Sequence, residues 1–298
     1  MSRKSSEKKL TTREFYAYRL MWRNTNYNII LRVGRLMQQY VVDMYAKIEQ
    51  LRLNFIRNNQ AQLRAEQYQG LYDAILHGDA QNTGRKIILP ATFHGGPRYM
   101  NKRYQDAMGI VRVYGKPTLF ITFTCNPNWP EIENELLPNQ IPSDRPDLTS
   151  RVFRLKLKEL MNDLIITGVF GTVLDHLYVV EFQKRGLPHS HILLILDENG
   201  KLKTPDDYDK VVCAELPDPI KAPELFAIVT KHMIHNPCGI HGYNKSCMID
   251  RKCTKQFPKQ FCTETTDLSN GYPQYRRRSY DQGGNIFKKK IEKFNIFY

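Results

Sequence analysis

In the stretch EFQKRGLPHSHILLIL (Glu181 to Leu196), two histidines, His189 and His191, stand two residues apart at the start of an apolar run. Residues at that spacing point to one face of a β-strand. Both imidazoles then converge on one place, an arrangement suited to a borderline divalent metal. The preceding segment HLYVVEF reads as a strand, and a turn at Arg185-Gly186 would fold the two into a hairpin. Glu181 and Gln183 share one face of that first strand and can come opposite the histidines. Two imidazoles plus one oxygen leave coordination positions open, as in a catalytic site. Histidines lining a polar sheet face are the plain alternative, because His-x-His alone is a short motif.

A second constellation lies in HNPCGIHGYNKSCMIDRKC: His235, Cys238, Cys247 and Cys253, with His241 and Cys262 nearby. His-x₂-Cys followed by Cys-x₅-Cys can reach one tetrahedral Zn²⁺ and leave no position open. The segment is loop-like and poor in apolar residues, so a metal would help it to order. The spacing is not that of a standard finger, and reduced cysteines in a loop are the alternative. Cys125 and Cys213 read as ordinary thiols.

Local signals indicate the elements that must hold these groups. Thr11-Thr12-Arg13-Glu14 fits a capping box, with a helix following through REFYAYRLMWR. From Ile29 to Asn58, Val33, Leu36, Met37, Tyr40, Val41, Met44, Ile48, Leu51 and Phe55 recur at helical steps. A third helical pattern covers 61–77. TLFITFT (Thr118 to Thr124) reads as a strand that stops at Asn126-Pro127. A helix is expected from Ser150 to Ile166, with Phe153, Leu157, Leu160, Met161 and Leu164 on one face, and another over 222–235. The basic and aromatic tail NIFKKKIEKFNIFY could form a short amphipathic helix.

The chain has 298 residues, of which 41% are hydrophobic and 25% charged, which suffices for a packed core. No apolar run reaches membrane-spanning length, and MSRKSSEKKL has no apolar leader segment. With 44 basic against 30 acidic residues the formal charge is +14, which predicts attraction to a polyanion. Candidate phosphate contacts are Lys184, Arg185, Lys255, Lys259, Arg276, Arg277 and Arg278; Lys288 to Lys290 form a further basic run.

Longer stretches carry a family resemblance. REFYAYRL, GRLMQQYVVDMYAKIEQLRL, LPATFHGGPRYM, YGKPTLFITFTCNPNWPEI, EFQKRGLPHSHILLIL, KHMIHNPCG and KCTKQFPKQF resemble the N-terminal Rep-like region of Helitron transposases, the Helitron helicase-like domain. The likeness covers roughly residues 11 to 280 and implies an HUH endonuclease fold. That fold is α+β: an antiparallel sheet flanked by helices, here preceded by a helical N-terminal region and followed by a Cys/His-rich loop segment. The expected organisation is a basic arm (1–10), a helical region (11–80), the Rep-like nuclease domain (81–236), the Cys/His-rich segment (237–280) and a divergent basic tail (281–298). LFITFTCNP looks like the first motif of the fold and PHSHILLIL like the second, with Ser190 where a bulky apolar residue is usual. By this resemblance His189 and His191 are metal ligands. Glu181 is the preferred third ligand, since a carboxylate suits Mg²⁺ or Mn²⁺, and Gln183 the second choice.

The resemblance implies rolling-circle transposition chemistry: a tyrosine attacks a phosphate polarised by the metal and leaves a phosphotyrosine link to single-stranded DNA. An intracellular, nuclear setting is expected, and, with no long apolar run, no membrane. Family members carry the tyrosines as YxxxY downstream of the second motif. Here that spacing occurs only at Tyr68 and Tyr72, on the N-terminal side, where it reads as one face of a packed helix. Tyr272, Tyr275, Tyr280 and Tyr298 match no family position, and no GxxxxGK[ST] occurs. The sequence therefore predicts a truncated product, without its own nucleophile or motor and inactive in adduct formation alone. A single-stranded DNA-binding module without chemistry, and a metallohydrolase that uses water, are the competing readings. The sequence carries no signal for oligomeric state.

Overall fold

The computed structural model describes residues 9–23, 27–60, 87–183, 186–235, 238, 247–267, 273–291 and 294–297. It resolves into two compact units, Met1–Gly200 and Lys201–Tyr298. No helix among the described residues is long and apolar enough to cross a membrane.

In the first unit the capping box forms as expected. Glu14 N–H donates to Thr11 Oγ1 (3.2 Å) and the Glu14 carboxylate accepts from Thr11 N–H (2.9 Å), starting α1 (Thr12–Arg19). The long helical pattern from Ile29 is broken: a 3₁₀ turn (Ile29–Arg32) precedes α2 (Arg35–Asn58). The break falls at Gly34, whose φ of 54° would strain any residue with a side chain. The pattern over 61–77, with Tyr68 and Tyr72, lies outside the described residues. Helix α3 (Pro97–Tyr114) lies outside the elements expected from the sequence, although Pro97 at its first turn and Gly115 (φ 89°) just past its end are boundary signals.

Strand β1 (Leu119–Thr124) is followed by a short turn of helix, α4 (Pro130–Glu133), and then by α5 (Pro146–Asn162). The end of α5 widens into a π turn, Asp163–Thr167, and stops at left-handed Gly168. Strands β2 (Val173–Phe182) and β3 (Pro188–Leu196) form the expected hairpin. The sheet order is β1-β3-β2, antiparallel throughout, so the histidine strand is central. On one face, Ile192, Leu194 and Leu196 are buried, as are Val152, Phe153 and Leu157 of α5. Phe123 of β1 stacks on Phe153, ring centroids 5.3 Å apart, which seats the helix on that face. Ser190 points into the same interior and is fully buried. Its hydroxyl donates to the Val179 carbonyl (2.9 Å), so the small polar residue is satisfied where an apolar one is usual.

In the second unit, α6 (Pro205–Val211) starts at a Thr204–Asp207 capping box and α7 (Pro223–His232) follows. The remainder is made of short antiparallel pairs: β4 (Met248–Ile249) with β5 (Lys252–Cys253), and β6 (Thr266–Asp267) with β7 (Pro273–Gln274). The tail is not helical: β8 (Lys288–Ile291) pairs antiparallel with β9 (Phe294–Phe297). The two extended segments satisfy each other's backbone groups. Among the described residues no apolar side chain beyond residue 200 is buried. Polar pins take that place. Arg278 donates three times to Glu215, once from its backbone N–H (2.9 Å) and twice from its guanidinium (2.8 and 2.7 Å), and Arg276 pairs with Asp209 (3.1 Å). The fold class is thus mixed helix and sheet with a small antiparallel sheet.

Candidate metal centres

The open face of the sheet carries the histidines. Register places Thr124 and Glu181 either side of His189, and Thr122 and Val179 either side of His191. Directly paired residues of an antiparallel sheet share a face, so Glu181 and both imidazoles meet. The two Nε2 atoms are 3.2 Å apart, and the Glu181 carboxylate lies 3.5 Å from His189 and 4.0 Å from His191. Two donors each about 2.1 Å from one ion, at right angles, are about 3.0 Å apart. The imidazole pair is already near that separation. The Glu181 side chain, 56% exposed, is free to close the rest. In the metal-free chain one Nε2–H can donate to the other at this distance, and the same spacing fits two nitrogen donors on one divalent ion.

Strand β1 supplies two supports that sequence reasoning missed. Thr122 Oγ1 is 3.1 Å from His191 Nδ1, which turns Nε2 toward the cluster. Phe120 stacks on the His191 ring, centroids 5.3 Å apart. Alternation in TLFITFT was the available signal, but its facing strand was not legible locally. His189 Nδ1 is buried and has no hydrogen-bond partner among the described residues. Gln183 lies past the end of β2, its N–H bonded to the Leu187 carbonyl (3.0 Å). Lys184 and Arg185 lie outside the described residues.

The second constellation also converges. One ligand atom each from His235, Cys238, Cys247 and Cys253 lies within 4.8 Å of the others. A tetrahedral centre with Zn–S of about 2.3 Å and Zn–N of about 2.05 Å sets sulfur and nitrogen about 3.6 Å apart. Cys253 Sγ and His235 Nε2 are 3.6 Å apart. Hairpin β4–β5 positions this corner. Asp250 and Arg251 both take positive φ (48° and 61°), which makes the tight turn that returns Cys253 beside Met248. Desolvation opposes ionisation of Cys253, but hydrogen bonds from the Phe257 and Lys255 N–H groups and from Cys238 and Cys247 outweigh it and hold this thiol below its usual value. Desolvation and the neighbouring cysteines push Cys238 up to about 11. Four thiol and imidazole donors of this kind fit a closed Zn²⁺ site. Phe257 stacks on the His235 ring (4.1 Å), a contact with no sequence signal.

Cys262 lies elsewhere, its Sγ bonded to the Tyr275 carbonyl (2.9 Å), and His241 is outside the described residues. Burial pushes the Cys125 thiol up to about 11, and Cys213 is exposed. Of the basic candidates, Arg276 and Arg278 are held in the ion pairs above, and Arg277 lies over Phe261 (5.7 Å). Lys259 lies over Phe257 (5.8 Å), and Lys255 is exposed.

A family model described as the Helitron helicase-like domain at the N-terminus matches residues 15–194, more than half of the chain. The chain belongs to this Helitron helicase-like family. The match begins within α1 and ends within β3, so it contains the His189–His191 face and leaves the Cys/His cluster outside. No curated protein matches the chain.

Proposed function

We propose that this Helitron helicase-like chain is a DNA-processing domain of the HUH, rolling-circle type, acting on single-stranded DNA at the His189–His191–Glu181 centre. The observation that carries this is the convergence of two imidazoles and one carboxylate on the open face of a central antiparallel strand. When bound there, Mg²⁺ or Mn²⁺ would supply Lewis-acid polarisation of a phosphate oxygen. The chain's own residues supply the rest. His189, His191 and Glu181 hold the ion, Gln183 is the alternative oxygen donor, and Thr122 orients His191. The net charge of +14 draws the polyanion in. The cluster in the second unit would take Zn²⁺ as a structural ion. Lys184, Arg185, Lys255 and Lys259 remain proposed phosphate contacts.

A second reading, a single-strand-binding module without chemistry, has one observation in its favour. The only tyrosine on the three strands, Tyr178, is in register with Ile192 and so lies on the face opposite the histidines. Incubation of the chain with labelled single-stranded oligonucleotides and Mn²⁺, followed by a denaturing gel, separates the readings. Cleavage that His189→Ala/His191→Ala abolishes supports the nuclease; an adduct removed by protease identifies a tyrosine nucleophile, and cleavage without adduct identifies water. Binding without cleavage supports the module. Cleavage undiminished in the double variant would remove the histidine centre from the mechanism.

A further inference from the structure

The sheet face opposite the histidines has an open side. Between α5 and the edge strand β2 runs a cleft of about 600 Å³. From α5, Arg151, Arg154 and Lys158 line it, spaced by three and four residues and so on one side of the helix. From β2 come His176 and Tyr178, with ring planes 7° from parallel and centroids 6.3 Å apart. Tyr178 is 51% exposed. Leu155, Met161 and Ile165 add apolar lining.

The three cations stand out by how α5 and its leading loop treat the others. Lys156 is paired with Glu131 (2.7 Å) and lies over Trp129, and Arg145 is paired with Asp147 (3.0 Å). Arg151, Arg154 and Lys158 have no hydrogen bond or ion pair among the described residues. The helix acids Glu159 and Asp163 do not line the cleft. Three like charges on one helix side repel, at a cost of a few tenths of a kcal/mol per pair. They span about 10 Å of helix axis, the length of about three stacked nucleotides. A row of unpaired cations beside a platform of parallel rings is the pattern that binds single strands: charge follows the backbone and rings take base faces that a duplex hides.

We propose that this cleft is a second path for single-stranded DNA, with Arg151, Arg154 and Lys158 on successive phosphates and Tyr178 and His176 stacking on bases. The proposal rests on the reading that the domain handles single-stranded DNA, and adds a site on the sheet face away from the histidines. A strand entering there would be gripped beside the metal-binding hairpin, since β2 carries both Tyr178 and Glu181 on opposite faces.

The test is fluorescence anisotropy of a labelled oligothymidylate against the full chain over a salt series. Arg151→Gln/Arg154→Gln/Lys158→Gln should reduce the slope of log affinity on log salt by about 2, at about 0.7 per phosphate contact. Tyr178→Leu should weaken binding roughly fivefold or more and leave the slope unchanged. Both variants should bind Mn²⁺ at the histidines as the unaltered chain does, which reports an intact sheet. Unaltered affinity and slope in both variants, with binding lost in His189→Ala/His191→Ala, would overturn the cleft and leave the proposed function standing. No binding by the unaltered chain would overturn both. A duplex of the same length bound more tightly than the single strand would overturn the base-stacking assignment.

Discussion

Withdrawing the proposed Zn²⁺ from the His235–Cys238–Cys247–Cys253 cluster should unfold the second unit locally and leave the sheet of the first intact. The magnitude follows from what else holds residues 201–298. Among the described residues the apolar side chains there are at most half-buried, so hydrophobic burial contributes less than in a packed core. The side-chain ties there include the Glu215–Arg278 and Asp209–Arg276 pairs. Charge-assisted hydrogen bonds of this kind contribute about 1.5–3 kcal/mol each. Ordering a residue costs about 1–2 kcal/mol in backbone entropy, so a few such bonds cannot hold a segment of tens of residues. A structural Zn²⁺ site contributes on the order of 10–16 kcal/mol at neutral pH. Its loss therefore exceeds what the two ion pairs can replace. The assay is amide hydrogen exchange on the full chain with and without a chelator. Amides from Cys247 to Cys262 should lose protection by several orders of magnitude, the Lys255 and Phe257 N–H groups at Cys253 among them. Amides of β2 and β3 should be unaffected. Cys253→Ser should reproduce the chelated pattern without chelator. Equal protection with and without chelator, or protein purified without zinc yet protected, would refute the reasoning.

Three further outcomes are expected. His189→Ala/His191→Ala should abolish Mn²⁺ binding measured by calorimetry, and Thr122→Val, which removes the partner of His191 Nδ1, should weaken it about 10- to 100-fold. The hydrogen bond from Arg278 holds the Glu215 carboxyl below its ordinary value despite the opposing desolvation, so its contribution to stability is present above the usual carboxylate range and is lost as pH falls through the lowered value. Glu215→Gln should cost about 1.5–3 kcal/mol at neutral pH and flatten that acid dependence, read from exchange of the Cys262 and Arg277 amides, which bond to each other's carbonyls at 2.9 Å. A variant that kept the full acid dependence would remove Glu215 as its source.

What the sequence by itself determined is local. The Thr11–Glu14 box, the strand at Leu119–Thr124 and the two-residue spacing of His189 and His191 each depend on neighbours within a few positions, and backbone geometry converts such spacing directly into a cap or a shared face. The boundary signals Pro97 and Gly115 are equally local. Tertiary structure decided whatever depends on distant partners. Periodicity showed the helix over Arg35–Asn58 but not its buried side: Met37 and Ile56 are inside, while Leu36, Leu51 and Phe55 are exposed. Arg276 and Arg278 read as free charge until the fold brought Asp209 and Glu215 to them across more than sixty residues. The same selection paired Lys156 with Glu131 and left Arg151, Arg154 and Lys158 facing the cleft. Strand register put the Glu181 carboxylate beside His189, and one residue of slippage would have turned it to the other face of the sheet.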